Sequence, residues 1–197
     1  MSEKIEIYTL KELEEKHPDG YKKALENMQQ KVRGWDIPYL ADDLTAYIKR
    51  EIDNYDADTW RELEAKDIDV NYSLSYSQNE GLSFTGRFTV KLKEVTLLFL
   101  LKRTSTRSPY KNTVKAQYDG VWDFSDDLER EDIENMDIDS KAEKVRTHLK
   151  QMHDEIAEKT KEYGYEVIEY QESEENIRSL AEINDWKFTE KGQKVHQ

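Results

Sequence analysis

Hydrolytic chemistry in this chain would have to rest on carboxylates, and Glu80, Asp119 and Asp123 are the candidates. Cysteine is absent, which removes thiolate catalysis, disulfides and cysteine zinc sites. The histidines are His17, His148, His153 and His196. His148 and His153 are five residues apart, so they do not share a helix face, and both read as surface residues of a long helix. No P-loop, Gly-x-Gly-x-x-Gly, His-Glu-x-x-His or Gly-x-Ser-x-Gly occurs. What remains is a set of carboxylates holding a divalent cation such as Mg²⁺, as two-metal sites do when they cleave phosphodiesters. Glu80 sits in a hairpin turn and Asp119 and Asp123 near another strand end, so a sheet can bring them together. The plainer reading makes Glu80 and Asp119-Gly120 ordinary turn residues. Asp67-Ile-Asp69-Val-Asn71 opens like a calcium loop, but Tyr72 and Gln78 occupy the positions that need glycine and glutamate.

Charge supplies a second kind of candidate. The chain carries −13 overall, which repels nucleic acid at long range. Between Arg87 and Lys115, however, eight basic residues face the single acid Glu94, so that segment is +7 and the remainder −20. Ser77, Gln78, Ser83, Arg87, Lys91, Arg103, Arg107, Lys111 and Lys115 therefore read either as a hydroxyl-rich and basic phosphate-contacting surface or as a lysine-protected sheet edge. Tyr110 lies among them, available for stacking. Asp123 to Asp139 holds nine acids against Arg130. Asp126, Asp127, Glu129, Glu131, Asp132 and Glu134 read as a solvated linker or as carboxylates that imitate a phosphate backbone.

The elements that position these residues follow from periodicity. Val70, Tyr72, Leu74 and Tyr76 alternate with Asn71, Ser73, Ser75 and Ser77. After Gln78-Asn79-Glu80-Gly81, Leu82, Phe84, Phe88 and Val90 alternate with Ser83, Thr85, Arg87 and Thr89. This predicts a β-hairpin with one apolar face and one face of hydroxyls and arginine. Val95 to Leu101 fits a buried strand or a short core helix, which periodicity does not separate, and its length and Val-Thr-Phe content favour the strand. Thr113 to Tyr118 is another strand, followed by an Asp119-Gly120 turn and Val121 to Phe124. Thr9 and Glu12 form a capping box for a first helix, which His17-Pro18-Asp19-Gly20 interrupts. A second helix is predicted from about Tyr21 to Arg33. Pro38 starts a third, with Leu40, Leu44, Tyr47, Ile48, Ile52 and Tyr55 on one face. Ser140 and Glu143 make a capping box for a long helix through Ala142, Val145, Leu149, Met152, Ile156 and Tyr163. Ser173 caps a last helix carrying Ile177, Leu180 and Ile183, and a tail with Trp186 and Phe188 packs back.

The expected fold is α+β, a central antiparallel β-sheet flanked by an N-terminal helical segment and a long C-terminal helix. The 197 residues are expected as one domain: a helical segment 1–65, the sheet 66–124, an acidic linker 125–139 and a helical segment 140–197. No apolar leader opens the sequence, and Val95 to Leu101 is too short to span a bilayer, so a cytoplasmic protein with no membrane partner is expected.

Ser77-Gln-Asn-Glu-Gly-Leu-Ser-Phe-Thr-Gly-Arg87 resembles the Ser-Gln-Gly-Asp-Gly-x-x-Phe-x-Gly-Arg motif of a family of small phage, prophage and plasmid proteins. These proteins are often labelled antitoxins of a toxin–antitoxin stability system. Ala181-Glu-Ile-Asn-Asp-Trp-Lys-Phe-Thr-Glu-Lys-Gly192 resembles the same family's closing motif, and the helix around Asp43 to Ile52 takes the corresponding upstream place. Asn79 and Glu80 replace the family's Gly and Asp, which keeps a carboxylate at position 80. Ala116 to Trp122 stands where many relatives have a histidine-rich strand, so histidine chemistry does not carry over. The chain is also broadly similar to small acidic anti-CRISPR proteins of Firmicutes mobile elements.

The resemblance implies a mobile-element protein. The genomic company of such elements, rather than any motif, leads to the expectation of an inhibitor of a nucleic-acid-directed host defence, with a Cas effector and its guide RNA as partner. A metal-dependent ribonuclease centred on Glu80, or an antitoxin that neutralises a basic toxin by charge complementarity, are the alternatives.

Overall fold

The computed structural model describes residues 6–33, 37, 39–55, 60–74, 80–105 and 113–195. The fold is α+β. Helices α1 (Leu10–Lys16), α2 (Pro18–Arg33) and α3 (Leu40–Asp53) precede strands β1 (Glu62–Ser73), β2 (Gly81–Lys91), β3 (Val95–Arg103) and β4 (Val114–Phe124). Helices α4 (Arg130–Glu134), α5 (Ile138–Glu172) and α6 (Glu174–Ile183) follow. Packing divides the chain into two compact units, 39–164 and a second built from 1–38 with 165–197. Among the described residues, no helix is long and apolar enough to cross a membrane.

In the unit 39–164, four antiparallel strands lie in the order β1-β2-β3-β4. The predicted alternation holds: Leu82, Phe84, Phe88 and Val90 of β2 and Val95, Leu97, Phe99 and Leu101 of β3 are buried on one face. Val95 to Leu101 is a strand, as its length and β-branched content suggested. Tyr72, expected on the apolar face, remains 38% exposed near the end of edge strand β1. The register of β1 against β2 shifts between Lys66 and Asp69, where Asp67 has φ of 53°. This bulge brings Ile68 over Gly86, where a Cβ would lie 2.6 Å from Ile68 Cδ1; glycine at 86 leaves room for the bulged side chain. Asp119-Gly120 is not a turn. β4 runs through it as one strand with register irregularities opposite Thr96 to Phe99, and Gly120 adopts φ of 145°, which only glycine takes without strain.

Helix α5 covers the buried face. Lys141 Nζ meets Glu94 at 3.1 Å, the His153 and Phe84 rings lie 4.6 Å apart, and Gly164 makes space for Leu74. From 141 to 164 a helix rises about 35 Å, and β2 is about as long, so the contacts run the length of the strand. α3 buries Leu40, Leu44, Ile48 and Ile52, the predicted stripe, and its Tyr47 stacks on Tyr163 at 4.5 Å. α5 begins two residues before the expected Ser140 cap, because Asp137 Oδ1 accepts from Ser140 N–H at 3.0 Å.

The other unit has its own core of Tyr8, Leu10, Leu13, Tyr21, Leu25, Met28, Ile177 and Phe188, among others. The Thr9–Glu12 capping box forms, and Ser173 accepts from Asn176 N–H at the start of α6. His17-Pro18-Asp19-Gly20 separates α1 from α2 by His17 alone, since Pro18 already opens α2, a position where its missing N–H is harmless. Ile177 is buried on α6, while Ile183 points outward at 78% exposure. The tail packs back as expected, with Tyr8 and Phe188 exchanging backbone hydrogen bonds at 2.8 Å. Gly20 and Gly192 permit this seating: a Cβ on Gly20 would lie 2.1 Å from the Glu190 carbonyl oxygen, and one on Gly192 2.1 Å from that of Gly20. At an open helix site, Gly→Ala stabilises by about 0.5–1 kcal/mol. Gly20→Ala should instead destabilise, by about 1–3 kcal/mol, as an overpacked site does. Urea unfolding checks this, and a more stable variant would show that the tail does not press on α2.

Candidate functional site

Burying one face of the sheet turns the alternate residues outward. On that outward face β2 presents Thr85, Arg87, Thr89 and Lys91. In register with them, β1 presents Glu62, Glu64, Lys66 and Asp69. β3 adds Thr96, Leu98, Leu100 and Lys102, and β4 adds Lys115, Gln117 and, opposite Thr96, the exposed Asp123. The acids of β1 meet the bases around them: Arg87 Nε lies 2.9 Å from Asp67, Lys66 Nζ 2.9 Å from Glu64 and Lys91 Nζ 3.7 Å from Glu62. These pairs are exposed, and such pairs are worth about 0–1 kcal/mol at most. They nevertheless neutralise the β1–β2 half of the face.

One end of the β3–β4 half is basic, while Asp123 stands opposite Thr96 at the other. Lys102 and Lys115 are direct cross-strand partners, both exposed, and neither has an ion pair among the described residues. Directly opposed like charges repel and weaken a sheet. A shallow depression of about 560 Å³ lies beside them, lined by Thr85, Arg87, Leu100, Lys102 and Arg103 with Asp67. It is too open to enclose a small molecule and carries three cations against one carboxylate that is already paired. Such a surface suits a chain of phosphates held by point charges and hydroxyls.

Of the predicted contact residues, Arg87, Lys91 and Lys115 are exposed on this face. Arg103 borders the depression and donates from Nη1 to Asn71 Oδ1 at 2.5 Å. Ser83 does not take part: it is fully buried, and its hydroxyl has no hydrogen-bond partner among the described residues. Ser77, Gln78, Tyr110, Arg107 and Lys111 lie outside the described residues. Lys102 was not singled out by sequence, although alternation along β3 places it outward next to Leu100.

The three carboxylates expected to converge do not. Glu80 is held by Lys161 of α5 at 3.3 Å, just before Gly81. Asp123 is opposite Thr96, which is opposite Lys91, ten residues along β2 from Gly81. At about 3.4 Å per residue that is roughly 30 Å away. Asp119 lies between them at the β4 irregularity and is exposed. Among the described residues no group of three or more His, Asp or Glu could hold a metal ion. The acidic segment is partly folded. Asp126 and Asp127 form a turn, Asp132 accepts from Glu129 N–H at 3.4 Å at the start of α4, and Arg130 pairs with Glu134 at 2.9 Å. Glu131 and the rest of this set are exposed.

His153 is not a surface residue. It is fully buried, accepts from Phe84 N–H at Nε2 (3.4 Å) and has Nδ1 3.0 Å from Asp154 Oδ1. Accepting at one nitrogen and donating at the other describes the neutral ring. Burial lowers its pKa and outweighs the opposing pull of Asp154, which Lys150 also engages. His148 is half-buried, with a ring nitrogen 2.8 Å from Lys144 O and its edge toward Trp60.

No family model matches this chain, and no match to a curated protein or to a solved structure is found.

Two outcomes are expected. Lys115→Glu should raise stability by a fraction of a kcal/mol in thermal unfolding, because it turns a repulsive cross-strand pair into an attractive one. A loss of stability would mean that Lys115 already has a partner. His153 makes stability depend on pH. The unfolded state takes up a proton below the ordinary histidine value of about 6.5 while the folded state resists it, so stability is full above that pH and declines as pH falls. His153→Leu should flatten that decline, and an unchanged slope would place the proton elsewhere.

Proposed function

We propose that this protein is a stoichiometric inhibitor that docks on a nucleic-acid-bearing partner through the outward face of its sheet. The observation that carries the reading is the opposed and exposed Lys102 and Lys115, without an ion pair among the described residues, beside a shallow basic depression in a chain of net charge −13. A strongly acidic protein that keeps two like charges together forgoes stability at a place where an anionic partner would restore it. The resemblance to phage, prophage and plasmid proteins supplies the biological setting. The protein would act in the cytoplasm of a bacterial host against a Cas effector with its guide RNA. The exposed acids of 126–134 then lie toward basic surfaces of the effector that ordinarily hold nucleic acid. Docking is preferred to ribonuclease chemistry because Glu80 is engaged by Lys161 and far from Asp123.

The test mixes the purified protein with a guide-loaded Cas effector, with Mg²⁺ or with EDTA, and follows both guide integrity and target cleavage. The expected result is an intact guide and blocked cleavage at about one protein per effector. Glu80→Ala should still inhibit, whereas Lys102→Glu with Lys115→Glu should weaken inhibition at least tenfold, about 1.4 kcal/mol. Guide shortening that needs Mg²⁺ and Glu80 would overturn the reading in favour of a nuclease. An effector left fully active would remove the Cas assignment.

A further inference from the structure

A second basic site lies in the other unit, on the side of α2 where the C-terminal tail seats. A pocket of about 400 Å³ is bounded by Asn27, Gln30 and Lys31 of α2 and by Gly192, Gln193 and Lys194 of the tail, over a floor of Ala24, Met28 and Phe188. Among the described residues no carboxylate lines it, although the chain has 43 acids against 30 bases. Ala24, Asn27, Met28 and Lys31 are spaced three and four apart, so a single helical face forms one wall. The other wall is fixed by a tight turn: Thr189 N–H donates to Gln193 O at 2.9 Å, Gly192 N–H to Thr189 O at 2.9 Å, and Phe188 bridges to Lys194. Gly192 has φ of 77° and meets the α2 backbone directly, so a side chain there would displace the wall.

Lys31 and Lys194 have no ion pair among the described residues. The Lys194 ammonium rests over the Trp186 ring, 3.6 Å from its centroid, which fixes the cation without neutralising it. Partial burial lowers the Lys194 pKa, and the charge of Lys31 lowers it further. Two lysines lining one pocket with three amide side chains, and no acid among the described residues, form a receptor for a small oxyanion. The lysines would supply the charge, and the amides would donate to the anion's remaining oxygens.

We infer that the pocket between α2 and the C-terminal tail binds a phosphate group, with Lys31 and Lys194 as its cationic contacts. The site is open on one side, which admits either free inorganic phosphate or the terminal phosphate of a short nucleotide. It does not rest on the sheet face, so it stands whether or not the protein inhibits a Cas effector.

The experiment titrates inorganic phosphate, a 5′-phosphorylated dinucleotide and the same dinucleotide without its phosphate into the full chain at constant ionic strength. The readout is the indole ¹⁵N–¹H signal of Trp186, assigned with Trp186→Phe. Saturable shifts are expected for the two phosphate-bearing probes and not for the third, and whichever binds more tightly identifies the source. Lys31→Gln should weaken binding at least tenfold, since it removes a charge-assisted hydrogen bond to the phosphate. Lys31 is exposed, so this variant should fold as the parent does. Lys194→Gln should do the same, and Lys22→Gln, on the same helix outside the pocket, should bind normally. No saturable shift with either phosphate-bearing probe, or equal affinity in Lys31→Gln, overturns the site.

Discussion

β2 lying beneath α5 along its whole length is the constraint from which the rest of the sheet unit follows. Phe84 and Phe88 are fully buried, and each such side chain contributes about 1.5–3 kcal/mol through the apolar area it removes from water. Because side chains alternate, that burial leaves no choice about the opposite face. A one-residue slip would turn Phe84 and Phe88 to water and bring Ser83, Thr85 and Arg87 under the helix. The register is secured further by the bulge at Asp67-Ile68, which fits only against Gly86, and by Leu74 filling the space that Gly164 leaves in α5. At that end of β2, Lys161 draws Glu80 to the helix.

Electrostatics then divide the outward face. Edge strand β1 supplies Glu62, Glu64 and Asp67, and Lys91, Lys66 and Arg87 satisfy them. An edge of mixed charge is poorly suited to pairing with another strand. β3 and β4 bring Lys102 and Lys115 together with no acid between them. The chain therefore concentrates uncompensated positive charge on one part of its sheet while the exposed segment 126–134 concentrates negative charge elsewhere. This two-signed surface suits a partner that itself combines nucleic acid with basic protein.

Much of this architecture was legible in the sequence because it is written in short-range periodicity. The hairpin, the stripe of α3, the long helix and the Thr9 and Ser173 caps depend on residues a few positions apart. What was not legible depended on partners distant in the chain. Asp119-Gly120 has turn chemistry, but a Gly can also absorb an irregularity inside a strand, and only the neighbour β3 decides between them. Reading it as a turn hid a consequence for the site. Three successive antiparallel strands place the start of β2 and the end of a continuous β4 at opposite ends of the sheet, so Glu80 and Asp123 are kept apart. The burial of His153 is legible in a different spacing. Its distance from His148 says nothing of burial, but it is four residues after Leu149 and three before Ile156, on the buried stripe. Ser83 obeys the alternation and is buried all the same, because strand position does not report what covers a residue.

The proposed docking mode depends on which surface of the protein an effector would touch. Amide hydrogen exchange of this protein, alone and mixed with a guide-loaded Cas effector, measures that directly across both units. Protection concentrated in β3 and β4 around Lys102 and Lys115, and removed when both lysines are changed to glutamate, is the predicted result. Protection confined to α1, α6 or α2, with the sheet exchanging as in the free protein, would contradict it.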